Sequence, residues 1–331
     1  MERRSRIEAV VAPLVGGLVV LGTLLGLIGT AIANPKPHDI PVGITGPAPA
    51  VQQLTAGIGA KSPGTFTFTT YDSESAARSA LDNRDVDAVL VLGDTPRLVV
   101  ALAAGEANSS VVTAVFPAVF AAQGTQLSVE TTHNFSAGDP HGLVLFFLVL
   151  ATIISTFVVQ VFLLVRARGA GFGTWLEVQV IWAVLAGLVG VGIAAWIVGG
   201  YDLQPAAKMA ALLALGSLAI GTVTGGLARI LGPVGIGLSG LVLVLLDLIS
   251  SGGPAGANFL PDAYRWLSPW MPAGELYSAL RGVLYFDNAG SVAPAALLLG
   301  YAVVGIVLML IGSVVQRFLA PRSAPIPATA H

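Results

Sequence analysis

The chain contains no cysteine. That absence excludes disulfides, thiolate metal ligands, thioether haem attachment and cysteine nucleophiles together, so any region folded outside a membrane must be held by its own core. Charge is scarce as well: 10% of the 331 residues are Asp, Glu, Lys or Arg, against about 25% in a soluble domain. With 55% hydrophobic residues, most of the chain cannot face water, and a bilayer is its main solvent. A net charge of -2 and a pI near 6.1 create no field that would attract nucleic acid. The four histidines, His38, His133, His141 and His331, lack metal-ligand spacing, so no metal and no cofactor are expected. None of the lysines, Lys36, Lys61 and Lys208, follows a G-x-x-x-x-G loop, which excludes a P-loop. No G-x-S-x-G elbow, H-E-x-x-H helix or paired carboxylates occur either, so the chain reads as a non-enzyme.

What is present is a series of long apolar runs: 10–33, 142–165, 175–198, 206–227, 235–249 and 292–315. Each except the fifth exceeds the roughly 20 residues needed to cross a hydrocarbon core of about 30 Å, and the fifth has uncertain ends. The first follows Met1-Glu2-Arg3-Arg4-Ser5-Arg6 and could be a signal peptide, but its length favours a retained anchor over a signal core of about 7–15 residues. Six spans with an inner N-terminus place Arg3, Arg4, Arg6, Arg166, Arg168, Arg229, Arg317 and Arg322 on the cytoplasmic side, as the positive-inside rule demands. The expected organisation is a cytoplasmic N-terminus at 1–9, a first span at 10–33, an extracytoplasmic domain at 34–141, a bundle at 142–316 and a cytoplasmic tail at 317–331. This describes a multi-pass protein of the cell membrane with both termini inside.

Segment 34–141 carries ten acidic and five basic residues and reads as a small α/β domain. Ile40–Thr45 and 65–71, where Thr and Phe alternate, predict strands, and 51–60 predicts a helix. A second helix starts at Ser73 and ends over Asp82-Asn83-Arg84-Asp85. Segments 86–92 and 97–103 predict a hairpin around Gly93-Asp94-Thr95-Pro96, and 109–129 predicts one helix, kinked at Pro117, leading back to the membrane. Asn108-Ser109-Ser110 and Asn134-Phe135-Ser136 fit the glycan acceptor pattern, a frequent chance match.

Segment 250–291 is neither apolar enough for a span nor polar enough for a free loop. Prolines 261, 269 and 272 preclude one continuous helix, and Tyr264, Trp266 and Trp270 favour headgroup level. Two short helices dipping into the outer leaflet fit best, the second over 273–286. Among polar residues within spans, Asp247 could line a substrate or proton path. The preferred reading has it reach the outer headgroups or cap the break at Ser250-Ser251-Gly252. Gln160 and Gln179 read as interhelical hydrogen-bond partners rather than substrate ligands. Glu177 has two open readings, a contact with a cytoplasmic partner or a carboxylate complementing a helix N-terminus. Small residues at Gly22 and Gly26, at Gly221 and Gly225, and at Gly235, Gly237 and Gly240 permit close helix approach, read as packing within one bundle.

This layout resembles the ABC-2 class of exporter permeases, also called the type V exporter fold. Gly252-Gly253-Pro254, Leu260-Pro261, Ser268-Pro269, Met271-Pro272 and Ala279-Leu280-Arg281-Gly282 are similar to the run of its YhgE/Pip-like, or phage infection protein-like, branch. Ile40-Pro41-Val42-Gly43-Ile44, Ser75-Ala76-Ala77 and Asp87-Ala88-Val89-Leu90-Val91 resemble that branch's outer domain. The resemblance implies a half-transporter in membrane lipid, a homodimer or a heterodimer with a paralogue, driven by an ATP-binding subunit in trans. It implies a coupling element over 166–177, with Arg166, Arg168 and Glu177, and a re-entrant hairpin containing Pro261, Trp266, Pro269, Trp270, Pro272 and Arg281. Cargo of such permeases is commonly a lipid, an envelope precursor, a peptide or a drug. Two other functions stay open: a non-transporting envelope receptor or scaffold, and an ion-coupled transporter using Asp247.

Overall fold

A computed structural model describes residues 2–167 and 169–319. Helix α1 spans Glu2–Ile32. An α/β domain follows, formed by β1 (Ile40–Thr45), α2 (Ala48–Lys61), β2 (Phe66–Thr70), α3 (Glu74–Asp82), β3 (Ala88–Val91), β4 (Arg97–Ala101), α4 (Glu106–Ala122) and β5 (Ser128–Thr132). The strands lie in the order β2-β1-β3-β4-β5. β1, β2 and β3 are mutually parallel, β4 runs against β3, and β5 is parallel to β4.

Strand alternation divides this sheet between two cores. Ile40, Val42, Ile44, Leu90, Leu98 and Val100 face α2 and α4, whereas Val89, Val99 and Ala101 pack with Ala77, Leu81 and Phe286 on the other side. Period-2 side-chain alternation demands this division. The hairpin expected around Gly93 is present as β3–β4. The single helix expected over 109–129 is corrected: α4 continues through Pro117 but stops at Ala122, and Gly124 turns the chain at φ 75°. Ser128–Thr132 then becomes β5, because its β-branched residues complete the open edge of β4.

The remaining helices are α5 (Leu143–Arg166), α6 (Phe172–Val198), α7 (Leu203–Leu231), α8 (Pro233–Ser239), α9 (Asp247–Ser250), α10 (Asp262–Leu267), α11 (Pro272–Tyr285) and α12 (Val292–Leu319). A π-helical stretch, Gly240–Leu246, joins α8 to α9, so Pro233–Ser250 forms one continuous apolar element. Among the described residues, six helical elements are long and apolar enough to cross a membrane: Leu14–Ala31 within α1, α5, α6, α7, Pro233–Ser250, and α12 over Val292–Gln316. Such a set defines a multi-pass membrane protein. α7 is central, packed by α5, α6, α11 and α12, while α5, α6 and α12 turn Phe147, Phe162, Leu188 and Leu299 outward, as lipid contact requires.

The two short helices expected over 250–291 are α10 and α11. α11 is no surface helix: Ala273, Leu276, Ala279 and Leu280 are completely buried, in part against α5 and α7. It joins the core of the bundle that contains Leu145, Leu213 and Ile220.

Candidate functional site

α11 begins with Pro272 at its first turn and has no side-chain cap from its own Met271. The cap comes from another element, since Asp247 Oδ1 accepts the Ala273 N–H at 2.8 Å. Asp247 is wholly buried, and a carboxylate at a helix N-terminus both satisfies an orphan donor and complements the dipole. This corrects both halves of the preferred sequence reading. The Asp247 side chain is turned into the bundle rather than towards headgroups, and it takes no part in the break after Ser250. That break is closed by Ser251 N–H donating to the Asp247 backbone carbonyl at 3.0 Å, Ser251 Oγ to the Leu248 carbonyl at 2.7 Å and Gly252 N–H to that of Ile249 at 3.1 Å. What Asp247 caps is the N-terminus of α11.

The other end of α11 is held by the α/β domain. Arg84, at φ 67° just beyond α3, donates to the Ser278 carbonyl at 2.9 Å, to Ser278 Oγ at 3.0 Å and to the Ala289 carbonyl at 3.3 Å. Its guanidinium also lies 5.3 Å from the Phe286 ring centre. Burial, with repulsion from Arg281, pushes Arg84 down to about 10, so it stays cationic at neutral pH. Gly282 admits this side chain, since a Cβ there would fall 3.1 Å from Arg84 Nη1. In return, Arg281 of α11 donates to the Ala104 carbonyl and stacks on Tyr277 at 4.8 Å. His133 Nδ1 donates to the Tyr285 carbonyl at 2.7 Å, and its ring stacks on Phe286 at 4.4 Å.

Beside this clamp, Asn108 donates to Asp87 Oδ2 at 2.7 Å and to Asn258 Oδ1 at 3.2 Å, and Asn258 donates to the His38 carbonyl at 2.8 Å. Burial pushes the Asp87 carboxyl up, and the Asn108 amide opposes it. Asn108 is buried, which removes it as a glycan acceptor. The hairpin's other expected residues divide in two: Pro272 is buried and Pro261 half-buried, while Pro269, Trp266 and Trp270 are exposed. The Trp270 carbonyl accepts Tyr301 OH at 2.8 Å.

Within the bundle Gln160 donates to Gln179, which donates to the Ser217 carbonyl at 2.9 Å. Both are buried and act as interhelical partners. The space for Gln179 comes from Gly221 and that for Gln160 from Gly225. Gly22 and Gly26 of α1, by contrast, have nothing packed on them. At the end far from the α/β domain, α5 turns into α6 through residues 167–171. Arg166 and Glu177 face outward there, and Arg168 lies outside the described residues. α6 starts at Phe172, with no acid in its first turn, so Glu177 is not a helix N-terminal carboxylate. The turn is fastened to the bundle. Trp175 Nε1 donates to the Ala167 carbonyl at 3.2 Å, while Arg229 donates to the Ala170 carbonyl at 3.0 Å and to Ser313 Oγ of α12 at 2.9 Å.

Sequence reasoning missed Arg84, Asn258 and the inward role of Arg229. It also missed Asp139, whose carboxylate accepts the Leu143 and Val144 N–H groups at 2.9 and 3.0 Å and caps α5. An acid four residues before an apolar run was a legible signal for that cap; Arg84 had none. No family model, no curated protein and no solved structure matches this chain.

Proposed function

We propose that the protein is the membrane subunit of an ATP-driven exporter of the ABC-2 type, energised by a separate ATP-binding subunit at the 166–177 turn. In this reading the turn and the termini face the cytoplasm of a cell membrane, the α/β domain lies outside, and two copies, or this chain and a paralogue, form the path. Its cargo is a lipid, an envelope component, a peptide or a drug.

The observation that carries this reading is the mechanical continuity through α7. One end of α7 bonds the turn and α12 through Arg229. Further along, Gly216 receives Leu276 of α11, where a Cβ would come within 2.6 Å of the Leu276 side chain. α11 in turn is locked to the α/β domain by Arg84 and Arg281. A continuous run of packed and hydrogen-bonded elements thus joins the turn to the opposite end, the connection a driven permease would use. Asp247 Oδ1 caps α11, a structural task that the exporter reading uses directly; the ion-coupled alternative rests on its other oxygen, Oδ2, which is buried without a hydrogen-bond partner among the described residues.

Purification of the tagged chain from its own host tests the proposal. Expected is an ATP-binding subunit that co-purifies and is lost when Arg166 and Glu177 are replaced by alanine. Repeated recovery without any ATPase would overturn the exporter and favour a receptor or scaffold.

A further inference from the structure

The order β2-β1-β3-β4-β5 sends the connections from β1 and β3 in opposite directions. β1 leads through α2 to β2 on one side, and β3 turns directly into β4 on the other. In open α/β sheets a crevice forms where neighbouring connections diverge, at the carboxyl ends of the strands, and ligands bind there. Here that position holds a cleft of about 510 Å³, within the range of about 300–1,000 Å³ typical of small-molecule sites. It lies at the edge away from the bundle, because β1 begins beside Asn258 and β3 begins just after Arg84, the residue that clamps α11. None of the residues that hold α11 lines it.

The lining defines the ligand class. Leu54, Leu92 and Phe120 supply an apolar floor, and Gln53, Gln123 and Asp94 supply the polar rim. The N-terminus of α2 opens on the same cleft through Pro47 and Ala50. Helix N-termini ordinarily attract anions through free N–H groups. This one has Pro47 and Pro49 at its start, and each removes a donor. The lining contains no Lys or Arg, and Arg97 nearby is engaged by Glu74 at 2.6 Å. Phosphate or carboxylate ligands therefore meet too few donors and one opposing charge. An ammonium or amide group meets Asp94 and two side-chain amides, and an apolar body meets the floor.

We propose that this cleft binds a small organic cation or neutral amide with an apolar body, of about dipeptide size. Such a site equips the α/β domain to sense or receive a compound of that class, whether or not an ATPase drives the bundle.

Three probes of one shape test it on the full chain in nanodiscs by saturation-transfer NMR: phenylalanyl-leucinamide (cationic), N-acetyl-phenylalanyl-leucinamide (neutral) and N-acetyl-phenylalanyl-leucine (anionic). The cation and the neutral amide are expected to bind at millimolar concentration, and the anion at least roughly tenfold more weakly, a gap of about 1.4 kcal/mol. Ala50→Trp, at an exposed position, should fill the cleft and abolish all binding. Asp94→Lys, in an exposed turn, should reverse the order of cation and anion. Failure of every probe to bind, an anion that binds as well as the cation, or binding that survives Ala50→Trp in a variant of unchanged melting temperature would each overturn the proposal.

Discussion

Arg84 joins the α/β domain to α11 with two hydrogen bonds to Ser278, and to the segment just after α11 with a third, to Ala289, and a ring contact with Phe286. Bonds to a charged donor contribute about 1.5–3 kcal/mol. Arg84→Ala is therefore expected to lower the melting temperature of the full chain and to speed hydrogen exchange in α3 and α11 together. Arg84→Lys should restore little of this, since a single ammonium nitrogen lacks the planar guanidinium that bonds Ser278 through two separate nitrogens and lies by the Phe286 ring. At Asp247 the contrast is between removing an acceptor and keeping one. Asp247→Ala leaves the Ala273 N–H orphaned in a buried site at a cost of about 1–3 kcal/mol, whereas Asp247→Asn retains a carbonyl oxygen and should melt nearer the wild type. A third test concerns pH. Arg78 hydrogen-bonds Glu130 at 2.6 and 2.9 Å and holds its carboxyl below the usual glutamate value of 4.5. The folded value being depressed, the pair stabilises the domain above that ordinary value and loses its contribution as pH falls through the lowered one. For a pair this exposed the contribution is about 0.2–1 kcal/mol. Arg78→Ala should thus be slightly less stable than wild type at neutral pH, with the difference vanishing in strong acid.

Among the elements, α6 and α7 meet where Gly221 leaves room for Gln179 to reach the Ser217 carbonyl. Gly221→Val would overpack this contact, at about 1–3 kcal/mol, and displace a buried amide from its partner, so reduced thermal stability of the detergent-solubilised chain is expected. Gly22→Val in α1, where nothing packs, should leave the melting temperature unchanged and serves as the control. Elements with a strong period were legible in the sequence: the six apolar helices, the β3–β4 hairpin and the helix capped by Ser73. β5 was not, because its place depends on the unpaired edge of β4 rather than on its own five residues. The burial of α11 was not legible either. Its prolines and tryptophans indicated a broken surface element, while the decision to sink its Ala273, Leu276 and Leu280 face was made by grooves on α5 and α7. The Gln160–Gln179 bond was readable from two amides in apolar runs. The Arg84 clamp depends on a left-handed residue meeting a helix some 200 positions away, for which local sequence carries no signal.

For the whole molecule, the exporter reading depends on sidedness: the α/β domain on one side, the 166–177 turn on the other and facing an ATPase. The arginine distribution argues for this arrangement, and the fold places the two features at opposite ends of α7 through Arg229 and α11. The lack of cysteine makes the question directly measurable, since any introduced thiol is the sole reactive one in the chain. Thr125→Cys, in the α/β domain, and Gly173→Cys, at the exposed start of α6, can each be probed with a membrane-impermeant maleimide on intact cells and after lysis. The exporter reading predicts labelling of Thr125→Cys in intact cells and of Gly173→Cys only after lysis. Labelling of Gly173→Cys from outside, or protection of Thr125→Cys until lysis, would contradict it.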